Sequence, residues 1–351
     1  MKKFISVLLM LMIVISCFAG CTLDKIDMTE NTDNLSDTLQ KDVTENNGEA
    51  VTEDNGEAVT EDEPKYEKYQ SIIADTVNGG VSIGPAEIRL GESSFYNEEY
   101  KENVSDATCQ FGGKSYTGSY KRTEALSRLA AFDVDIYSTE DKIEFGLHEE
   151  TGELVYINFM SPSFFDAEPY LPDVSNPDAF AEEIGTKMAS EYIDLSEYDR
   201  YPTSMYTRSR EKDGKTYEIK YYFIVFARKI GGYFSSDYIS FKISSKGQVA
   251  AMVLGDIGVF DGVECDVEKD LVDRSIHAKI DSVLKAKYTA FKIKETSIDG
   301  QRIFIDSNGY ICISNEVIVY FEHISPSDPE VPLYAGARIY TVVGRKNQKT
   351  E

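Results

Sequence analysis

The residue best placed for chemistry is Cys21. Lys2 and Lys3 precede a nearly continuous apolar run from Phe4 to Ser16, and Phe18-Ala19-Gly20 leads into the cysteine. A basic start, an apolar stretch and small residues before a cleavage point make a secretory signal. A thiol directly after the small pair is suited to diacylation, which leaves the cysteine as the new N-terminus. Cys17, preceded by Val14-Ile15-Ser16, is the alternative attachment point. The apolar run is shorter than the roughly 20 residues that a spanning helix needs. Acyl chains such as palmitate bind at about 0.8 kcal/mol per buried CH₂, so two or more anchor stably where one does not. The expectation is a bacterial lipoprotein held to the outer face of the cell membrane through its lipid.

Elsewhere no constellation assembles into a catalytic set. The three histidines, His148, His277 and His323, have no second His or Cys at helical spacing. His148-Glu149-Glu150 has only half of a zinc motif and sits in a hairpin context rather than on a helix. Asp306-Ser307-Asn308-Gly309 resembles the start of a calcium loop, lacks the distal Glu, and is better read as a turn. There is no phosphate-cradling glycine loop and no Gly-x-Ser-x-Gly elbow. Carboxylate pairs are so abundant in an acidic chain that none singles itself out. No catalytic residue, metal or cofactor is therefore assigned. The 23 tyrosines and the absence of tryptophan are more informative. Tyr221, Tyr233 and Tyr238, with Phe234, cluster along one stretch and could supply rigid amphipathic contact area; cross-strand packing is the competing explanation.

These side chains need a scaffold, and residues 22–64 are not part of it. That segment holds fourteen Asp and Glu against Lys25 and Lys41, a net of −12, and no aromatic residue. It cannot bury enough apolar surface to offset chain entropy. Asn47 to Asp54 recurs intact as Asn55 to Asp62, a unit too short for a solenoid. It reads as a disordered acidic tether extended by its own charge. The whole chain carries −25, the first 21 residues +2 and the tether −12, which leaves −15 on the body. Such a body repels nucleic acid, so no nucleic-acid partner is expected. Cys109, Cys265 and Cys312 are too few for a disulfide framework and read as buried thiols.

The body divides into a β-rich region over 65–175 and two related modules over 176–262 and 263–351. In the first region Lys142 to His148 and Leu154 to Met160 form a hairpin, and a second hairpin surrounds Gly112-Gly113. Asn176 and Pro177 open a helix whose apolar stripe is Phe180, Ile184, Met188 and Tyr192. Four strands follow, over 203–210, 217–228, 237–244 and 248–254. The order then repeats. A helix striped by Val272, Ile276, Ile280, Leu284 and Tyr288 precedes five strands, with hairpin turns at Asp299-Gly300 and Asn308-Gly309. The expected fold class is α+β, antiparallel meanders each packed by one amphipathic helix.

The middle module carries a resemblance. Lys220-Tyr221-Tyr222-Phe223 leads through Gly231-Gly232-Tyr233 to the run from Ser236 to Ser244, and Ser245-Lys246-Gly247-Gln248-Val249 turns into a last strand. This resembles the core of PepSY-like domains in secreted bacterial proteins. The resemblance implies a non-catalytic module that binds or restrains an exported peptidase. The reading is a surface protein whose partner is an exported protein or peptide, with Tyr221, Tyr233, Phe234 and Tyr238 as its contact face. The alternatives are a solute-binding lipoprotein, which needs a cleft between parallel-sheet lobes, and a hydrolase with unfamiliar motifs.

Overall fold

Side chains alternate between more and less buried along stretches such as Ser204–Lys212, the period of a strand. The computed structural model describes residues 66–75, 81–87, 99–127, 129–322 and 331–346. Both lipid-attachment candidates, the acidic tether and His323 lie outside these. Fourteen strands form one sheet. They are β1 (Ser71–Asp75), β2 (Ala107–Phe111), β3 (Lys114–Glu124), β4 (Val134–Ser138), β5 (Glu144–His148), β6 (Leu154–Asn158) and β7 (Asp199–Arg200). The rest are β8 (Ser204–Lys212), β9 (Lys215–Ile230), β10 (Tyr233–Ser244), β11 (Val249–Leu254), β12 (Ile293–Ile305), β13 (Tyr310–Phe321) and β14 (Tyr334–Arg345). Among the described residues three α-helices accompany them, α1 (Pro162–Ala167), α2 (Pro177–Ala189) and α3 (Lys269–Lys287).

The expected class of two α+β modules is corrected by the sheet itself. Its order is β1-β14-β13-β12-β10-β11-β6-β5-β4-β3-β2, with β9 also paired to β10 and carrying β7 and β8 on its other side. Every strand junction is antiparallel except β10 with β12, which meet in parallel at Ser235 and Ile303. That junction joins the strands of the two expected modules edge to edge, so the fold is one β-dominated sheet and its helices are subordinate. Chain order does not reveal this, because the pairing partners lie about 70 residues apart. β1 likewise pairs with β14, from Ser71 opposite Thr341 to Asp75 opposite Arg338.

Two local expectations are also corrected. Asp299-Gly300 does not turn the chain. β12 runs through it as one strand, with a register shift against β13 between Asp299 and Arg302 and with Gly300 at φ 61°. A left-handed glycine absorbs the extra residue of a β-bulge, and β13 also runs unbroken through two of the expected strands, so five become three. On α2, Asn176 does accept from the Ala179 N–H as N-cap. The side chains it buries, however, are Ala181, Gly185 and Ala189, while Phe180, Ile184, Met188 and Tyr192 flank the contact half-buried. α3 keeps its expected stripe. Val272, Ile276, Ile280 and Leu284 are buried against Ile73 of β1, Ile313, Val317 and Val319 of β13 and Ala335, Ala337 and Ile339 of β14. Each such aliphatic side chain contributes about 1.5–3 kcal/mol.

Candidate binding site

The site follows from which way β10 points its side chains. Ile239, Phe241 and Ile243 face α2 and join the core with Tyr222, Ile224 and Phe226 of β9. The period of two then puts Tyr238, Ser240, Lys242 and Ser244 on the opposite face. There the sheet is covered by the chain that leaves β6, namely α1 and a single 3₁₀ turn, Glu168–Tyr170.

Lys242 is 5 % exposed although it carries a charge. Its ammonium lies 5.0 Å from the Tyr206 ring, 5.2 Å from Tyr221 and 5.8 Å from Phe223, within cation–π range. Tyr206 of β8 and Tyr221 of β9 are cross-strand neighbours, stacked with centroids 5.1 Å apart. Into this nest the 3₁₀ turn lowers Glu168, which is fully buried. The Tyr221 hydroxyl donates to its Oε2, whereas Oε1 has no hydrogen-bond partner among the described residues. Burial pushes the Lys242 amine down to about 7, helped by the Arg208 guanidinium and opposed by Glu168. Burial also raises the Glu168 carboxyl, with the Tyr221 and Ser244 hydroxyls pulling the other way. Each shift is the cost of holding a charge away from water.

At the end of β10 nearer the β12 junction the same sheet carries a second cluster. The rings of Tyr201 and Phe234 meet edge-on at 4.6 Å. Arg302 lies over Tyr201 at 5.6 Å and over Tyr238 at 5.5 Å, and Lys229 lies over Phe234 at 4.7 Å. Tyr201, Phe234, Tyr238 and Arg302 are all half-buried, and Lys229 is exposed. This is amphipathic area in the mixture that protein contact surfaces favour.

Of the four residues expected to form a contact face, the structure brings two together at the surface. Phe234 and Tyr238 belong to this second cluster. Tyr221 is fully buried in the nest, and Tyr233 packs into the core beside α3. Their rings close cores, which leaves only Phe234 and Tyr238 of the four at the surface, beside Tyr201, Arg302 and Lys229. Alternation along β10 separates the rings, and the register shift between Phe234 and Tyr238 against β9 sets which way each points. Sequence reading passed over Lys242 and Glu168. The available signal was a lone lysine between Phe241 and Ile243, in a strand otherwise apolar at that point.

Beneath the second cluster lies a buried acidic pair. Asp237 accepts from the Tyr198 hydroxyl and from the Gly258 N–H at 3.1 Å, and sits 3.6 Å from the Arg228 guanidinium. Asp256 is 4 % exposed, accepts from the Ala131 N–H at 3.0 Å, and has the Ser236 hydroxyl near its carboxyl. Burial raises its carboxyl to about 6, with Asp237 adding to the rise.

The remaining candidates have structural settings. His148 stacks on Phe132 at 4.3 Å and its Nδ1 accepts from the Glu150 N–H. His277 Nδ1 bonds the Asp273 carbonyl at 2.7 Å. Asp306 caps its own turn by accepting from the Asn308 and Tyr310 N–H groups. Cys109, Cys265 and Cys312 are free thiols. Among the described residues no group of three or more His, Cys, Asp or Glu is arranged to hold a metal ion. Comparison with protein-family models, with curated proteins and with solved structures gives no match.

Proposed function

We propose that this chain is an exported, lipid-anchored surface protein that binds a protein or peptide outside the cell without transforming it. The observation that carries the reading is the half-buried cluster of Tyr201, Phe234 and Tyr238 bracketed by Arg302 and Lys229. Aromatic rings and arginine side chains supply most of the truncation-sensitive energy at protein contacts. The acidic body fits a partner other than nucleic acid. The resemblance of the β8–β11 meander to PepSY-like domains supports an exported peptidase as that partner, bound or restrained. The Cys21 signal, with Cys17 as alternative, supports membrane attachment through lipid.

Site-specific photo-crosslinking tests this on the whole, membrane-attached protein. A photoreactive residue in place of Phe234 is expected to give a discrete protein adduct. The same residue at exposed Lys220, on the α2 side of β9, is expected to give none. Equal labelling at the two positions removes the proposed contact face.

A further inference from the structure

We infer that the nest of Tyr206, Tyr221 and Lys242 is a carboxylate-binding site which the chain fills with its own Glu168, and that residues 162–171 form a strap displaced by an acidic peptide of the partner. This rests on the peptide-binding reading above and names the chemistry of its partner.

Three observations carry it. The nest is cationic in an acidic protein, since Arg208 and Arg210 of β8 flank Lys242 on one face of the sheet. A carboxylate is the group such a site accepts, and Glu168 shows one in place with the Tyr221 hydroxyl donating to it. Next, the carboxylate is poorly suited to a purely structural peg. Among the described residues its Oε1 has no partner within hydrogen-bond geometry, although the residue is fully buried and the Ser244 hydroxyl lies near the carboxyl. An apolar side chain of similar size would fasten the strap without that desolvation.

The strap is also lightly held outside the nest. α1 buries none of its residues, and only Glu168 and Pro169 of the following turn are buried. Phe164 and Phe165 rest half-buried on Met160, Ile219, Tyr221 and Ala250, and its remaining attachments are peripheral. Lys212 pairs with Asp166 at 3.0 Å, and Lys246 pairs with Asp173 at 2.6 Å while donating to the Leu171 carbonyl. Phe165 lies under Arg210 at 3.8 Å and Arg208 at 4.8 Å. Ion pairs whose carboxylate is exposed, as Asp166 and Asp173 are, are weak and screened by salt. Opening of residues 162–171 therefore costs less than unfolding the sheet beneath. A strap that competes from within the chain lowers a ligand's apparent affinity by the fraction of time it is open, so loosening it must tighten binding.

The test uses the full chain and three amidated or free hexapeptides, with affinity read by fluorescence anisotropy. The first probe alternates Val and Glu with an amidated end, the second replaces Glu by Gln, and the third keeps Gln but has a free C-terminal carboxylate. Lys212→Ala with Lys246→Ala is expected to bind a carboxylate probe at least tenfold more tightly than the unaltered chain, and to bind the amidated Gln probe no better. Whether the first or the third probe gains tells side-chain from chain-end carboxylate. Adding Tyr221→Phe, which removes one O–H and keeps the ring, is expected to erase most of that gain. Hydrogen exchange should show amides of 162–171 exchanging by local opening, faster in the lysine double variant. Failure of both carboxylate probes to outbind the amidated Gln probe, no gain in the double variant, or exchange only through global unfolding would each overturn the proposal. If crosslinking at Phe234 succeeds while these probes fail, only the carboxylate site is lost. If the probes bind and crosslinking fails, the site stands without the proposed contact face.

Discussion

Gly185 of α2 stands directly over Ile224 of β9: a β-carbon placed on the glycine would lie 2.4 Å from Ile224 Cγ2. Neighbours Ala181 and Ala189 are equally small and fully buried. The helix therefore meets the sheet through its narrowest side, and larger residues border the contact instead of filling it.

Gly185→Val is expected to destabilise the protein by about 1–3 kcal/mol, because Ile224 is β-branched and confined by the sheet. Gly185→Ala should cost less, since alanine recovers about 0.5–1 kcal/mol of helix preference. Denaturant titration of the three proteins checks the order, and an unchanged midpoint for the valine variant would contradict the close approach.

The two helices should differ under truncation. Ile276→Ala in α3 removes a fully buried side chain and is expected to cost about 2–5 kcal/mol. Met188→Ala in α2 removes a half-buried one and should cost less than half as much. Similar losses at both positions would mean that the Met188 side of α2 is core after all.

Asp256 makes stability depend on pH. Its folded-state pKa, about 6, lies above the ordinary carboxylate value of 3.8. The folded protein thus binds more protons than the unfolded chain between those values, and stability falls as pH rises through that window. The groups facing it are the Ala131 N–H, the Ser236 hydroxyl and Asp237, with Arg228 on the far side of Asp237. Asp256→Asn stays neutral and should flatten that fall, by about 1–3 kcal/mol across the window. Denaturation at pH 4 and pH 7 measures it, and parallel profiles for the two proteins would sink the assignment.

The lipid anchor has its own test. Cys21→Ser is expected to abolish labelling by a palmitate analogue and to release the protein from membranes or leave its precursor unprocessed. Labelling that survives Cys21→Ser and disappears with Cys17→Ser would move the anchor to Cys17. Deleting residues 22–64 should leave the thermal midpoint unchanged within error, and a loss of several degrees would show that the tether packs on the body.

What the sequence determined by itself is everything set by local period and local turn chemistry. The hairpin of β5 and β6, the one around Gly112-Gly113 and the run from β8 to β11 follow from alternation and glycine turns. The α3 stripe follows from apolar residues every fourth position. The tertiary structure decided whatever depends on a partner distant in the chain. The pairing of Ser235 with Ile303 turned two expected modules into one sheet. The unbroken course of β13 made a bulge of Asp299-Gly300, although the dipeptide alone suits a hairpin. Close approach to Ile224 selected the small face of α2 over its aliphatic one. The candidate site belongs to this second group: Glu168 and Lys242 are 74 positions apart, and only the strap folding back across β9 and β10 sets a carboxylate and an amine in one nest. Burial there follows from packing between elements, and no local pattern of residues encodes it.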